Sequence, residues 1–439
     1  MRLCIILFLF LFSLCSSCES QSHHVSDAGV DSGSDADVAQ DVVADAADGD
    51  LADGGPDADG GSDVIEPEPA PVRYRQTQAI SPITRYVVEN MNAIIANNPA
   101  SLQDVFMKAG ASGTVSHNLL YCFAGGSYTI DLDVYGHLAP SIAWFAAGDA
   151  AGSTPFDRDT LAAVSGRTAS WVMSGDPSPF DEERLALNPR YAFINYGTND
   201  MEMGVTYRSA LFPFVRNFEA LLIHAMTNGI VPLITGLNPR SDNIDATWWV
   251  PVYNAVTRAL AEKYQVPYID MYLLSSPLDD MGLVADGIHG NVYSDSDYQP
   301  CVFTPEALGF NYNNRNLYSM ELLHQIKTSV VDGGVAPSHA ADEHVGAGSA
   351  DDPVLIDSLP FSHHADTRDA TSSLIDAYPL CDSEQDESGA EVYYRLELPE
   401  ATPLRIIVLD DSDGDMDIHM VQGAPAAEGC VERDDRIIE

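Results

Sequence analysis

Basic residues are scarce in this chain. Lys and Arg number 21 against 66 Asp and Glu in 439 residues, a formal charge of −45. Binding to nucleic acid needs clustered cations that displace counterions from phosphate, so this composition argues against it. It argues equally against docking of a folded part on an anionic lipid surface. From Glu19 to Val72 there is no Lys or Arg at all. Outside the N-terminal Cys15-Ser16-Ser17-Cys18 the chain has no Cys-x-x-Cys pair, so a cysteine-rich zinc site is not expected. No apolar run reaches the roughly 20 residues of a spanning helix. What is present is a 45 % apolar composition, enough for a sizeable core. The length implies two or three folded or linking units.

Residues 1–18 have the form of an export signal. One Arg precedes an apolar run from Leu3 to Leu14, followed by Cys15-Ser16-Ser17-Cys18. The ending resembles a bacterial lipobox, which implies lipidation of Cys18 as the first residue of the mature protein. Cys15 stands where a lipobox usually has Leu. The expected location is outside the cytoplasm, either as a lipoprotein of the cell envelope or secreted, with membrane contact only through the lipid. Cys4, Cys15 and Cys18 belong to this segment. Cys122, Cys301, Cys381 and Cys430 remain, an even set in an oxidising compartment. Two fall in each of two candidate domains, and the economical pairing is Cys122–Cys301 and Cys381–Cys430.

Composition divides the rest. Residues 19–73 are dominated by Asp, Ala, Gly and Val and have too little to bury against their ordering entropy, so an extended acidic tether is expected. Residues 74–332 alternate strand and helix patterns. Strands are expected at 104–110, 191–196, 230–236 and 266–270. Phe218, Leu221, Leu222 and Ala225 recur at helical spacing, with Gly229 where the helix should end, and Val252, Val256 and Leu260 do the same for the next helix, with Lys263 near its end. This alternation implies a three-layer α/β/α sandwich on a parallel sheet, with ligands at the carboxyl ends of the strands. Residues 333–349 read as a linker. Residues 350–439 carry short alternating stretches at 391–398, 404–409 and 415–421, which imply a smaller β-sandwich that looks truncated.

Three motifs follow predicted strands: Gly110-Ala-Ser112-Gly-Thr114, Gly197-Thr-Asn199-Asp200 and Asp286-Gly-Ile-His289. A serine hydroxyl needs a base to take its proton, and an imidazole base needs a carboxylate to orient it. A developing oxyanion needs donors already in place, for which an Asn amide is suited. Taken singly, each piece has an ordinary structural reading as a helix cap or a loop residue.

Together the motifs resemble the SGNH (GDSL-like) hydrolases over residues 80–330. Like them, the chain lacks the Gly-x-Ser-x-Gly elbow here, since Gly113 and Thr114 follow Ser112. The resemblance implies a serine esterase without cofactor or metal, with Ser112 as nucleophile, His289 as base and Asp286 as its orienting acid. Asn199 and the backbone N–H groups of Ser112 and Gly166 would form the oxyanion hole; Gly166 rests on the weak match of Ala163-Val-Ser-Gly-Arg-Thr168. The substrate would be a small-molecule or polysaccharide O-acyl ester. One departure stands out: Ala111 replaces the Asp that usually precedes the nucleophile. A second serine, in Gly125-Gly-Ser127, is a decoy without a clear strand before it. A non-catalytic carbohydrate- or envelope-binding lipoprotein on the same fold is the alternative, with Ala111 as its sign. Residues 350–439 loosely resemble the pre-peptidase C-terminal β-sandwich domains of secreted bacterial enzymes, through Leu359-Pro-Phe, Asp366-Thr-Arg, Tyr378-Pro-Leu-Cys381, Val392-Tyr-Tyr, Asp415-Met-Asp-Ile-His419 and Cys430. Asp413, Asp415 and Asp417 fail the calcium-loop pattern, because Ile418 stands where a Gly is needed.

Overall fold

The computed structural model describes residues 2–9, 69–338, 342–381, 386–410 and 416–438, and only the backbone of 2–9. The acidic run 19–68, the lipobox residues Cys15 and Cys18, and Asp413 and Asp415 lie outside the described residues.

The first strand, β1 (Arg2–Leu9), belongs to a sheet near the C-terminus. The α/β part is built on four parallel strands paired in chain order: β2 (Leu102–Gly110), β3 (Pro189–Asn195), β4 (Val231–Thr235) and β5 (Tyr268–Ile269). Every residue of β4 is buried. Successive side chains of a strand point to opposite faces, so both faces of the sheet must be covered. Helix α1 (Arg85–Ile95) precedes β2. Helices α2 (Ser112–Val115), α3 (Ala139–Ala146), α4 (Ala169–Val172) and α5 (Pro179–Leu187) lie between β2 and β3. The next two crossings are single long helices, α6 (Tyr207–Thr227) and α7 (Ile244–Lys263), followed after β5 by α8 (Met271–Ser275) and α9 (Asn311–Ile326).

The apolar spacing explains these elements. On α6, Leu211, Phe214, Val215, Phe218, Leu221, Leu222 and Ala225 form one buried stripe. Thr206 caps the helix by accepting from the Ser209 N–H, and Ser209 accepts back from the Thr206 N–H. Gly229 ends the turn with φ +72°. Lys108 was legible only as a residue within a strand. It is 1 % exposed, donates to the Phe156 carbonyl at 2.8 Å and stands 4.2 Å from the Tyr121 ring centre. Burial pushes its ammonium down to about 7.

The C-terminal region consists of small sheets. β6 (Val354–Ile356) pairs in parallel with β8 (Tyr394–Leu396). Between them in the chain lies β7 (Phe361–Asp366), which joins a four-stranded sheet in the order β7, β1, β9 (Leu404–Asp410), β12 (Ile437–Ile438). β10 (Ile418–Val421) and β11 (Cys430–Asp434) form an antiparallel ribbon. The three alternating stretches seen in the sequence fall on β8, β9 and β10. Residues 2–9, read in the sequence as the start of an export signal, are the strand that β7 and β9 share as a partner. Val72 and Arg73, which composition assigns to the tether, are buried. Val72 exchanges hydrogen bonds with the Gln265 amide, and Arg73 pairs with Asp357 at 2.9 Å. Glu262 on α7 accepts from Ser362 on β7, and Arg405 on β9 lies over the Trp249 ring. Both expected disulfides are present, Cys122–Cys301 and Cys381–Cys430. Among the described residues no helix is long and apolar enough to cross a membrane.

Candidate active site

The site lies at the carboxyl ends of the parallel strands, where an open α/β sheet leaves a crevice. β2 ends at Gly110, and the chain turns at once into α2, whose first residue is Ser112. A Cβ on Gly110 would stand 2.1 Å from Thr114 Oγ1 and 2.9 Å from the Asn195 carbonyl oxygen. Only glycine permits a turn this tight. Ala111 occupies the N-cap of α2 without a side-chain cap bond.

The turn holding Asp286 and His289 is fixed by its own carboxylate. Asp286 Oδ1 accepts the N–H groups of Ile288 at 2.9 Å and His289 at 3.0 Å. This leaves Oδ2 facing the ring, where His289 Nδ1 lies at 2.7 Å. Across the crevice His289 Nε2 is 2.8 Å from Ser112 Oγ. The structure therefore brings Ser112, His289 and Asp286 into one hydrogen-bonded chain. Both side chains of the turn remain open to solvent, His289 at 43 % and Asp286 at 46 %, so a substrate can reach them. Partial burial works to raise the Asp286 carboxyl, but the N–H of His289, its ring and the N–H of Ile288 outweigh it and hold the group below the ordinary carboxylate value.

Asn199 follows β3 in the turn Gly197–Asp200. Its Nδ2 donates to the Arg167 carbonyl at 3.1 Å, which sets Asn199 beside the segment carrying Gly166. That segment runs along the end of β2, where Gly110 N–H donates to the Ala162 carbonyl and Val164 N–H to the Gly110 carbonyl. One amide hydrogen of Asn199 is thus used by Arg167, and the other makes no bond among the described residues. Gly166 has φ +78° and open space at its Cβ position. Ser127 is exposed in the loop after Ala124, and its hydroxyl makes no hydrogen bond among the described residues.

Two functional supports were missed in the sequence. Asp200 is 4 % exposed, and its oxygens accept the N–H groups of Ala169 and Gly197, each at 3.0 Å. Burial outweighs these bonds and raises its carboxyl to about 6. Arg240, also buried, pairs with Glu202 at 2.6 Å and with Asp242 at 2.7 Å. The adjacent Ser241 N–H donates to the Gly287 carbonyl at 2.9 Å. This ties the Asn199 side of the crevice to the Asp286 turn. The only signal for it was an Arg in a polar stretch after a strand, in a chain with few Arg. Among the described residues no three potential metal ligands gather.

Several solved structures align with about half of this chain. A GDSL-like lipase from Bacteroides thetaiotaomicron is 14 % identical and covers 54 % of this chain and 98 % of its own, with a TM-score of 0.30. An acylhydrolase from Bacteroides fragilis is 17 % identical, covering 55 % of this chain and 96 % of its own, also at 0.30. An acetylxylan esterase from Geobacillus stearothermophilus, in a catalytic-mutant form, is 12 % identical, covering 50 % and 94 %, at 0.32. No curated protein sequence matches this chain. The sequence model of the GDSL-like lipase/acylhydrolase family matches residues 123–293, a span that takes in Asn199, Asp286, His289 and Ser127 and begins beyond Ser112. Residues 123–293, within the α/β part, therefore match the GDSL-like lipase/acylhydrolase family, and this match supports an ester hydrolase.

Proposed function

We propose that the protein is an exported serine esterase acting on an O-acyl ester of a small molecule or a carbohydrate, with Ser112, His289 and Asp286 as its catalytic set. The observation that carries this reading is the continuous chain from Asp286 Oδ2 through His289 to Ser112 Oγ, at 2.7 and 2.8 Å. His289 Nδ1–H donates to Asp286, so Nε2 is free to accept the serine proton. Ser112 Oγ attacks the ester carbonyl as Nε2 takes its proton. The imidazolium then returns that proton to the leaving alcohol. Water, deprotonated by the same nitrogen, releases the acid and restores the serine. Asn199, with the N–H groups of Ser112 and Gly166, holds the tetrahedral oxyanion. Ala111 leaves this scheme intact, because the acid that orients the base is Asp286. Cys18 is proposed as the lipidated N-terminus of the exported form, and mass spectrometry of the mature N-terminus tests it: an unlipidated first residue refutes the anchor.

The esterase reading is tested with a panel of acyl esters on the purified protein. Asn199→Ala is expected to lower kcat about a hundredfold to a thousandfold, the usual loss for one oxyanion donor. A wild type that hydrolyses no ester in the panel, while binding carbohydrate or envelope polymer, gives the case to the binding-protein alternative and to Ala111 as its sign.

A further inference from the structure

The run Asn311-Tyr-Asn-Asn-Arg-Asn316 opens α9 and lies outside the span matched by the family model. All six residues are buried, an unusual place for four amides and a guanidinium. Asn313 and Asn314 bond to carbonyls of residues 299–310, but Asn311, Tyr312 and Arg315 reach the two loops that carry the proposed nucleophile and base. On the base side, Asn311 N–H donates to Asn291 Oδ1 at 2.9 Å and Tyr312 N–H to the Asn291 carbonyl at 3.0 Å, two residues beyond His289. On the nucleophile side, Arg315 Nη1 donates to the Gly113 carbonyl at 3.1 Å, and the Tyr312 hydroxyl lies 3.3 Å from the same oxygen. Gly113 is the residue after Ser112. A single helical turn therefore grips both loops.

Arg315 is 4 % exposed, and among the described residues no carboxylate lies within 4.0 Å of it. Burying a guanidinium without a counter-ion is costly, and such a group is normally paired. Burial also makes its charged form harder to keep, lowering it from the ordinary arginine value. A cation held behind the nucleophile turn gains a partner when negative charge develops in front of that turn. Resting on the esterase reading above, we propose that Arg315 and Tyr312 are positioning residues. Through the Gly113 carbonyl they hold Ser112 Oγ and its backbone N–H in line with His289, and the unpaired charge of Arg315 favours the anionic intermediate.

The test uses the full chain with 4-nitrophenyl acetate as probe, and compares Arg315→Met, Arg315→Lys, Tyr312→Phe and Ser112→Ala. Loss of alignment at a reacting centre costs up to about a hundredfold, so Arg315→Met should lower kcat about ten- to a hundredfold with KM within about twofold. Arg315→Lys keeps the charge and one donor and should recover most of that loss. Tyr312→Phe should lower kcat a few fold, roughly the value of one neutral hydrogen bond. Wild-type kcat in Arg315→Met overturns the proposal. So does a loss that Lys fails to rescue and that follows the fraction of unfolded protein. If Arg315→Met does not fold, Tyr312→Phe decides: reduced kcat at constant KM supports the proposal, and unchanged kcat overturns it. Ser112→Ala separates the two readings. Full turnover there removes Ser112 as the nucleophile and with it the site this proposal rests on, whereas an inactive Ser112→Ala beside a fully active Arg315→Met removes only the role of Arg315.

Discussion

At the scale of single residues, the site depends on side chains that fix backbone as much as on those that react. Asp286 spends one oxygen on two N–H groups of its own turn and offers the other to His289. Asp200, from a buried position, ties the turn that carries Asn199 to the segment at Ala169, with one oxygen on the Gly197 N–H and the other on the Ala169 N–H. Its carboxyl rises from 3.8 to about 6, equivalent to on the order of 3 kcal/mol. The folded protein thus holds this proton more tightly than the unfolded chain between about pH 4 and pH 6. The contribution of Asp200 to stability declines as pH rises through that window and is constant above it. Asp200→Asn cannot ionise, so its stability relative to wild type should improve by on the order of 3 kcal/mol between pH 4 and pH 7, whatever fixed cost the amide brings. Urea denaturation of both proteins at the two pH values measures this, and parallel pH dependences contradict it. Ser112, His289 and Asp286, the residues proposed to react, could be picked out of the sequence because the proposed chemistry demands particular types at strand ends. Asp200, Arg240 and Arg315 were not, because their partners are backbone groups or side chains distant in sequence.

At the scale of elements, β2 and the turn behind it form the platform for Ser112. Lys108 lies inside this platform, four residues before the serine, with its ammonium pushed down to about 7 by burial. A lysine lowered in this way binds its proton less readily in the folded state than in the unfolded chain. Wild-type stability should therefore rise with pH from about 7 towards 10.5 through this group. Lys108→Met, which keeps most of the volume and removes the charge, should lose that rise and gain stability relative to wild type below pH 7. Thermal unfolding at pH 6 and pH 9 decides, and an unchanged difference between the two proteins counts against it. The four parallel strands and both long helices could be read from periodicity, because burial on two faces or one stripe leaves a regular apolar pattern. The short helix that begins at Ser112 has only four residues and no such pattern. A turn of that length is set by tertiary contact, here by the close approach of Gly110 to Thr114.

At the scale of the whole molecule, long-range ties hold the crevice. The Cys122–Cys301 bond spans 179 residues and joins the segment after the nucleophile turn to the segment before α9. In the chain-entropy account a loop of this size stabilises by about 5 kcal/mol. Replacing both cysteines by serine should remove about that much in urea denaturation, and an unchanged midpoint contradicts it. This pairing could be read from cysteine counting, because each candidate domain held two. The place of residues 2–9 between β7 and β9 could not, since an apolar run at an N-terminus carries no record of distant strand partners. Nor could the packing of β7 and β9 on α7, which joins the C-terminal sheets to the α/β part through Glu262 and Trp249. The central claim is that Ser112, and not Ser127, is the nucleophile. The direct measurement is ester turnover by Ser112→Ala and Ser127→Ala beside wild type, with thermal unfolding as the check on folding. We predict that Ser112→Ala remains folded and loses nearly all kcat, because members of such a set act as a unit, while Ser127→Ala turns over like wild type. A Ser112→Ala protein with wild-type turnover, or a folded Ser127→Ala protein without activity, contradicts the account.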